Sequence, residues 1–351
     1  MGVRKCMALL CCSLMALQVV STRTLKAGRG VRSDRSPSTP RRSSSHRPRP
    51  AKARSNKPNK SHRAPVRTVT FAPHVLTPEE LLIPIKRHYT VYQGKTLHVK
   101  IRSPHCLAAA YTRLAGVTYT LSAVPGYDKY YECYIPFDCE FPAGPYRLII
   151  TTTTDIGEIN YLGCEVMVNT FPFKKQHGFK ISDAKLKRIK LKAGTGGSKE
   201  SRLLAKYITN SPKQKLWDGA FSMPINVQRV TSPFGEIRTS HGMGHRHHRG
   251  LDLADVPRAP IRAANHGIVA VKTKTPVNGN VIAIDHGLGV FTLYCHMDSF
   301  NKNIEIGSKV TKDQEIGRIG MTGYASGYHL HLEMRVNNIA VDFMEWTQHI
   351  H

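Results

Sequence analysis

The sequence predicts an all-β protein: an immunoglobulin-like sandwich in the middle of the chain, followed by an antiparallel β-sheet domain at its C-terminal end. Three observations carry that expectation. From about Thr68 onward, apolar and polar residues alternate in short runs, the period of a strand with one buried face. Gly and Pro punctuate these runs at close intervals, and no helix of any length is legible in the last third of the chain. With 351 residues and 40% hydrophobic content, the chain is long enough for two cores of ordinary domain size.

The first 67 residues are of another kind. "MGVRKCMALLCCSLMALQVVSTRT" sets Arg4 and Lys5 ahead of an apolar run from Met7 to Val20 and then turns small and polar at Ser21 and Thr22. That is the pattern of a secretory signal peptide over residues 1–21. The run is shorter than the roughly 20 residues of a membrane-spanning helix. The expectation is therefore export to the periplasm, cell envelope or exterior, with no transmembrane helix in the mature chain.

Residues 22–67 carry fifteen Lys or Arg against the single acid Asp34, which accounts for +14 of the formal +27. Rich in Ser and Pro and without apolar period, this stretch reads as a disordered basic tether. Its partner should be polyanionic, and anionic envelope polymers fit the expected compartment. No specific nucleic acid is expected, since no Phe, Tyr or Trp between Thr22 and Arg67 offers a base a stacking platform.

Residues 68–173 supply the sandwich. "TLHVKIRS" alternates Leu97, Val99 and Ile101 with polar neighbours, "GVTYTLSAV" does so with Val117, Tyr119 and Leu121, and "YRLIITTTT" is β-branched, with "DIGEIN" as the turn after it. Of the five cysteines beyond the signal, Cys106, Cys133, Cys139 and Cys164 fall here, where an oxidising compartment favours one or two disulfides, and Cys295 is the odd thiol. Residues 174–216 form a Lys-rich linker with one short helical pattern at Leu203, Leu204 and Ile208, for which Ser198 is a candidate N-cap.

The second β domain, 217–346, holds the chemistry. "GIVAVKTK", "NVIAIDHGLGVFTLYCH" and "HLHLEMRV" are strands, the second broken by a "DHGLG" hairpin turn. In "HHRGLD" strand alternation places His248, Gly250 and Asp252 on one face, the glycine leaving space for an ion; in "YHLHLEMRV" it places His329 and His331 together while Leu330, Leu332 and Met334 face the core. Imidazoles with a carboxylate suit zinc, and three protein ligands with one open position describe a catalytic zinc. Alternation turns Cys295 and His296 to opposite faces, which leaves the thiol as a small core residue. Glu333 shares the face of the histidines, in a solvated or supporting role.

Residues 231–342 resemble the lysostaphin/LytM-type zinc endopeptidases of bacterial cell walls: "HRGLD" matches the family's His-x-Gly-x-Asp, "YCH" at 294–296 its Tyr-x-His, and "HLH" at 329–331 its His-Leu-His. The resemblance implies one zinc ion per chain held by His248, Asp252 and His331, with His296 and His329 catalytic. It leaves His241, His245 and His247 as bystanders or groove-wall residues, and His286 as structural. It also implies peptidoglycan peptide stems as substrate. Of the two catalytic histidines His329 is favoured as the general base, with the other stabilising the oxyanion.

Two departures stand out. Tyr328 occupies a position that is commonly Pro in the family, and residues 236–247 contain no tyrosine to hold an oxyanion. A non-catalytic relative that activates another hydrolase, or a wall or polyanion binding protein, is the alternative.

Overall fold

The strand patterns resolve, in a computed structural model that describes residues 86–176, 206, 210–240 and 244–348, into the expected all-β architecture. The signal peptide, the basic tether and the helix expected after Ser198 lie outside the described residues. No helix among the described residues is long and apolar enough to cross a membrane.

Eight strands make the N-terminal sandwich: β1 (His88–Tyr92), β2 (Thr96–Arg102), β3 (Leu107–Leu114), β4 (Val117–Thr120), β5 (Ser122–Ala123), β6 (Tyr130–Pro136), β7 (Gly144–Thr154) and β8 (Ile159–Asn169). One sheet runs β1-β8-β7-β3-β4 and the other β2-β6-β5. β1 joins β8 in parallel; the remaining pairs are antiparallel.

The "GVTYTLSAV" run divides between the sheets. Thr120 pairs with Tyr111 in the first, Leu121 dives into the core, and Ala123 pairs with Tyr131 in the second. Val99, Ile135, Phe137, Leu148 and Val166 close the core between the inner faces, the immunoglobulin-like arrangement. The expected disulfides are not formed: Cys133 and Cys164 lie buried in this core, Cys139 is buried elsewhere, and Cys106 is exposed.

β9 (Lys175–Gln176) leaves the sandwich and pairs with the next domain. That domain comprises β10 (Arg229–Ser232), β11 (Ile237–Ser240), β12 (Gly244–His247), β13 (Leu251–Ala254), β14 (Pro260–Arg262), β15 (Gly267–Thr275), β16 (Gly279–Asp285), β17 (Val290–Met297), β18 (Ser299–Phe300), β19 (Lys309–Val310), β20 (Glu315–Arg318), β21 (Leu330–Val336) and β22 (Ile339–Val341). Its main sheet runs β10-β13-β21-β17-β16-β15-β19. One face packs Leu253, Tyr294, Leu332, Met334 and Val336 into the larger core, while Phe291, Leu293 and Cys295 close a second cluster on the other side.

Contrary to the sequence reading, the domain contains a helix, α1 (Phe343–Gln348). Asp342 caps it by accepting the Met344 N–H at 3.0 Å. Six residues are too few to display a 3.6-residue period, so no pattern announced it.

Pro65–His351 forms one compact unit, and α1 explains part of this. Lys95 Nζ donates to Asp342 Oδ2 at 2.7 Å, the Thr96 N–H donates to Glu345 Oε2 at 3.0 Å, and Tyr134 of the sandwich packs against Trp217 and Trp346.

Candidate metal centre

His248 and Asp252 reach one point by a route that alternation did not describe. β12 ends at His247 and β13 begins at Leu251, so residues 248–250 interrupt the strand. Even so, His248 Nε2 and Asp252 Oδ1 come within 3.2 Å. The room at Gly250 is taken by a neighbouring imidazole and not by an ion: a Cβ there would lie 2.5 Å from Cε1 of His331 and 2.7 Å from the Leu332 carbonyl oxygen. Any side chain at this position would displace His331.

His331 pairs across the sheet with Asp252, and its Nδ1 lies 2.7 Å from Asp252 Oδ1 and 3.1 Å from His248 Nε2. One ligand atom from each of the three residues falls within 4.8 Å of the others. The opposite nitrogens are already engaged. His248 Nδ1–H donates to the Pro233 carbonyl at 3.1 Å, and His331 Nε2–H donates to Glu333 Oε1 at 3.1 Å. Partners behind a metal-binding histidine normally fix its ring in this way, and here they leave His248 Nε2 and His331 Nδ1 facing Asp252, where they hydrogen-bond to the carboxylate and where a metal would take the place of their protons. The donor set of two nitrogens and a carboxylate oxygen fits a divalent cation such as zinc.

The charges around this point are arranged for an ionised carboxylate. Burial opposes the charge of Asp252, but hydrogen bonds from His248 and His331 outweigh it and hold the group well below the usual carboxylate range. Burial likewise disfavours a charged His331, yet its bonds to Asp252 and Glu333 raise it to about 9. Glu333 is buried, which would raise it; the Arg335 guanidinium and His331 pull it down to about 2. Glu333 is thus not the solvated group that alternation allows: it sits at 5% exposure with Arg335 Nε at 2.6 Å and His331 on its other side.

His296 arrives by a break in β17. Between Ile282↔Tyr294 and Asn280↔Met297 the register shifts by one residue, and His296 adopts a left-handed φ of 61°. Met297 therefore returns to the main core with Tyr294, three positions before it. The bulge carries His296 to the side of His331, with ring centroids 5.9 Å apart, and re-aiming a side chain in this way is a common consequence of such irregularities. Cys295 and His296 are consequently not turned apart by alternation: Cys295 pairs with His331 and is buried among Leu293, Val281 and Ala283.

His296 Nδ1–H donates to the Thr322 carbonyl at 2.8 Å. Gly279, at φ 67°, admits that backbone, since a Cβ there would lie 2.5 Å from the Thr322 oxygen. Burial, reinforced by the charge of His331, lowers His296 to about 4.

His329 lies just before β21, with Nδ1–H donated to the Gly327 carbonyl at 2.9 Å and Nε2 3.9 Å from Asp252 Oδ1. Its ring centroid is 4.9 Å from that of His296. Both histidines border a groove of 480 Å³ that also exposes His248, Asp252 and His331.

Other histidines stay outside this cluster. His247 donates Nδ1–H to the Gly235 carbonyl at 3.0 Å and packs edge-on against Phe173; His245 is exposed on β12; His286 is buried between the His266 carbonyl and Thr292 Oγ1; and His241 lies outside the described residues. Tyr328 lines the groove and is 40% exposed.

Sequence reasoning missed Arg238, whose Nη2 donates to Asp252 Oδ2 at 2.9 Å and to Ser232 Oγ at 2.6 Å. It also missed the partner behind Glu333, although Arg335 two residues on, on the same strand face, was an available signal.

The model of peptidase family M23 matches residues 246–343. Over 127 residues, 35% of this chain, the sequence is 35% identical to the DD-carboxypeptidase/endopeptidase Mpg of Neisseria meningitidis serogroup B. Over 117 residues, 33% of this chain, it is 35% identical to the peptidoglycan DD-endopeptidase ShyC of Vibrio cholerae serotype O1. The chain spans only 28% and 27% of the length of these relatives. A crystal structure of a putative peptidase M23 from Pseudomonas aeruginosa shares the fold at a TM-score of 0.50 and 21% identity, covering 71% of this chain and 92% of that one. Residues 246–343 thus form a peptidase M23 domain.

Proposed function

We propose that this chain is an exported zinc-dependent endopeptidase that hydrolyses the peptide cross-links of bacterial peptidoglycan. The observation that carries this reading is the convergence of five side chains from three motifs on one groove. His248, Asp252 and His331 would hold the metal; bound there, a divalent cation supplies Lewis acidity toward a carbonyl oxygen and acidifies water to a pKa of roughly 7. The basic tether would keep the enzyme near anionic envelope polymer.

The tautomers refine the roles of the two remaining histidines. Each donates Nδ1–H to a backbone carbonyl, so in its neutral form each presents a bare Nε2 to the groove. Neither is then ready to donate to an oxyanion. His329, the one within 3.9 Å of Asp252, takes the proton of the attacking water and, once charged, returns it through Nε2–H to the leaving amine. His296 accepts a hydrogen bond from the same water and orients it. This differs from the oxyanion role that the sequence reading gave to whichever histidine is not the base.

The test is to load the full chain with zinc, confirm the metal by elemental analysis, and incubate it with peptidoglycan sacculi. Soluble muropeptides released by the protein and not by metal-replete His329→Ala are the expected result. Metal-replete protein that binds sacculi and releases nothing would instead identify a binding or activating relative.

A further inference from the structure

The groove that exposes the metal centre is bordered by a charge that the centre does not use. Arg229 and Thr231 line it from β10, the edge strand. Arg229 pairs with Ala254, two positions along β13 from Asp252, which sets its backbone about 7 Å along the strand from the metal-binding carboxylate.

Two guanidinium groups border the groove, and they differ in availability. Arg238 is occupied, donating to Asp252 and Ser232 with Glu236 at 3.6 Å. Arg229 is exposed and, among the described residues, has no ion pair. Asp252 is the sole carboxylate among the residues that border this groove, and the metal and Arg238 both engage it. Outside the histidine cluster the remaining lining residues, Asn278 and Tyr328 among them, are neutral. The groove therefore offers one unopposed positive charge, on a residue whose backbone is offset from that of Asp252 by the length of one to two extended peptide residues at about 3.5 Å each.

An uncharged bridge, such as one of glycines, gains nothing from that group. A peptide with a carboxylate at that distance gains a charge-assisted, bidentate hydrogen bond. Resting on the peptidase reading above, we infer that Arg229 is a specificity-determining residue that selects peptides bearing a carboxylate one or two residues from the scissile bond. A chain-terminal carboxylate and an acidic side chain share this chemistry.

Three peptides with one common scissile bond separate the sources: one with a free terminal carboxylate and neutral side chains, one with an amidated terminus and a single acidic side chain beside the cleaved pair, and one with neither charge. The zinc-loaded full chain supplies kcat and KM for each, and zinc-loaded His329→Ala supplies Kd. At least one charged peptide should be preferred to the neutral one by about tenfold, in KM and Kd and not in kcat. Arg229→Gln should bring the ratio close to one, Arg229→Lys should keep part of it, and salt should erode it. The charged peptide that benefits identifies the source.

Equal Kd and KM for all three peptides, or a preference that survives Arg229→Gln, would overturn the inference while leaving the hydrolase intact. A Kd preference that Arg229→Gln abolishes, with no hydrolysis of any peptide, would sustain the subsite and overturn the peptidase reading.

Discussion

The sandwich and the M23 domain are built from the same material, antiparallel strands with alternating faces, and they differ in where that alternation is broken. β7 and β8 pair without interruption from Gly144↔Val168 to Thr153↔Ile159, and Leu148, Ile150, Cys164, Val166 and Val168 along them fill the core. β17 is interrupted at His296, and β12 and β13 are separated by His248–Gly250. Buried polar groups follow the same division. In the sandwich, Glu132 is satisfied by His98 Nε2 at 2.8 Å and the Tyr134 hydroxyl at 3.2 Å. In the M23 domain, His248, Asp252, His296 and Glu333 are all buried within one cluster that opens on a groove. Irregular backbone is what allows a regular sheet to gather side chains from three strands and the break before one of them at one point.

The strongest way to break this contrast is to remove the convergence point. Asp252→Ala should abolish metal retention and reduce hydrolysis of sacculi to background, read by elemental analysis and muropeptide release. His329→Ala should keep its metal and lose activity by about 10²–10⁴-fold, the range of general acid-base catalysis. If both variants lost metal equally, His329 would have to be counted among the ligands.

Next in size is Gly250→Ala, which changes no polar group. The added methyl would meet His331 at 2.5 Å, so His331 must swing out of line with Asp252. Metal affinity should fall about 10–100-fold, as when a partner behind a ligand is lost, with some loss of thermal stability, because the same methyl would lie 2.7 Å from the Leu332 carbonyl oxygen. A competitive chelator titration measures this. Unchanged affinity would mean that His331 does not need its present position.

The parts of the site that were legible in the sequence are those set by residue type and spacing. The strands around Val99 and Leu332 follow period-two alternation, whereas the one at Ile268 shifts register between Val269 and Val271, and the His-x-Gly-x-Asp, Tyr-x-His and His-Leu-His segments stand out by composition. The rest was hidden for physical reasons. A single left-handed residue at His296 reverses the side on which the chain presents its imidazole, and nothing in "TLYCHMD" marks that conformation, which is rarer for a non-glycine residue. Arg238 reaches Asp252 from a strand fourteen residues earlier, a contact that only the three-dimensional register creates. The helix at Phe343–Gln348 is one and a half turns long, and its cap and its packing against the sandwich become visible only once Thr96 is brought beside it.

A smaller effect sharpens the sandwich side of the comparison. Glu132→Gln removes a buried anion that accepts from His98 and Tyr134, at a cost of about 2 kcal/mol near neutral pH, the worth of hydrogen bonds to a charged group. Burial opposes the charge of Glu132, but His98 holds it down at about 2. A carboxyl depressed in the folded state stabilises above its unfolded value and loses that contribution as pH falls through the folded one. Stability of the unsubstituted protein should therefore decline between pH 4.5 and about 2, and Glu132→Gln should flatten that limb in urea melts. Hydrolysis of sacculi should be affected far less than by Asp252→Ala.

The smallest expected effect lies where the two domains meet, at Glu345, and it has the opposite sign. Burial raises this carboxyl to about 7, with Lys95 and the Thr96 N–H only partly countering the shift. The folded state therefore binds the proton more tightly than the unfolded chain, so stability is full below pH 4.5 and declines as pH rises toward about 7. Gln at this position keeps an oxygen to accept the Thr96 N–H and has no charge to desolvate. Glu345→Gln should thus raise stability by about 1 kcal/mol at pH 8, a shift of a few degrees in Tm, with little gain at pH 4.5. A variant that is destabilised at both pH values would show that the ion pairing with Lys95 outweighs the burial cost, and that the sandwich is held on the M23 domain by charge as well as by Tyr134, Trp217 and Trp346.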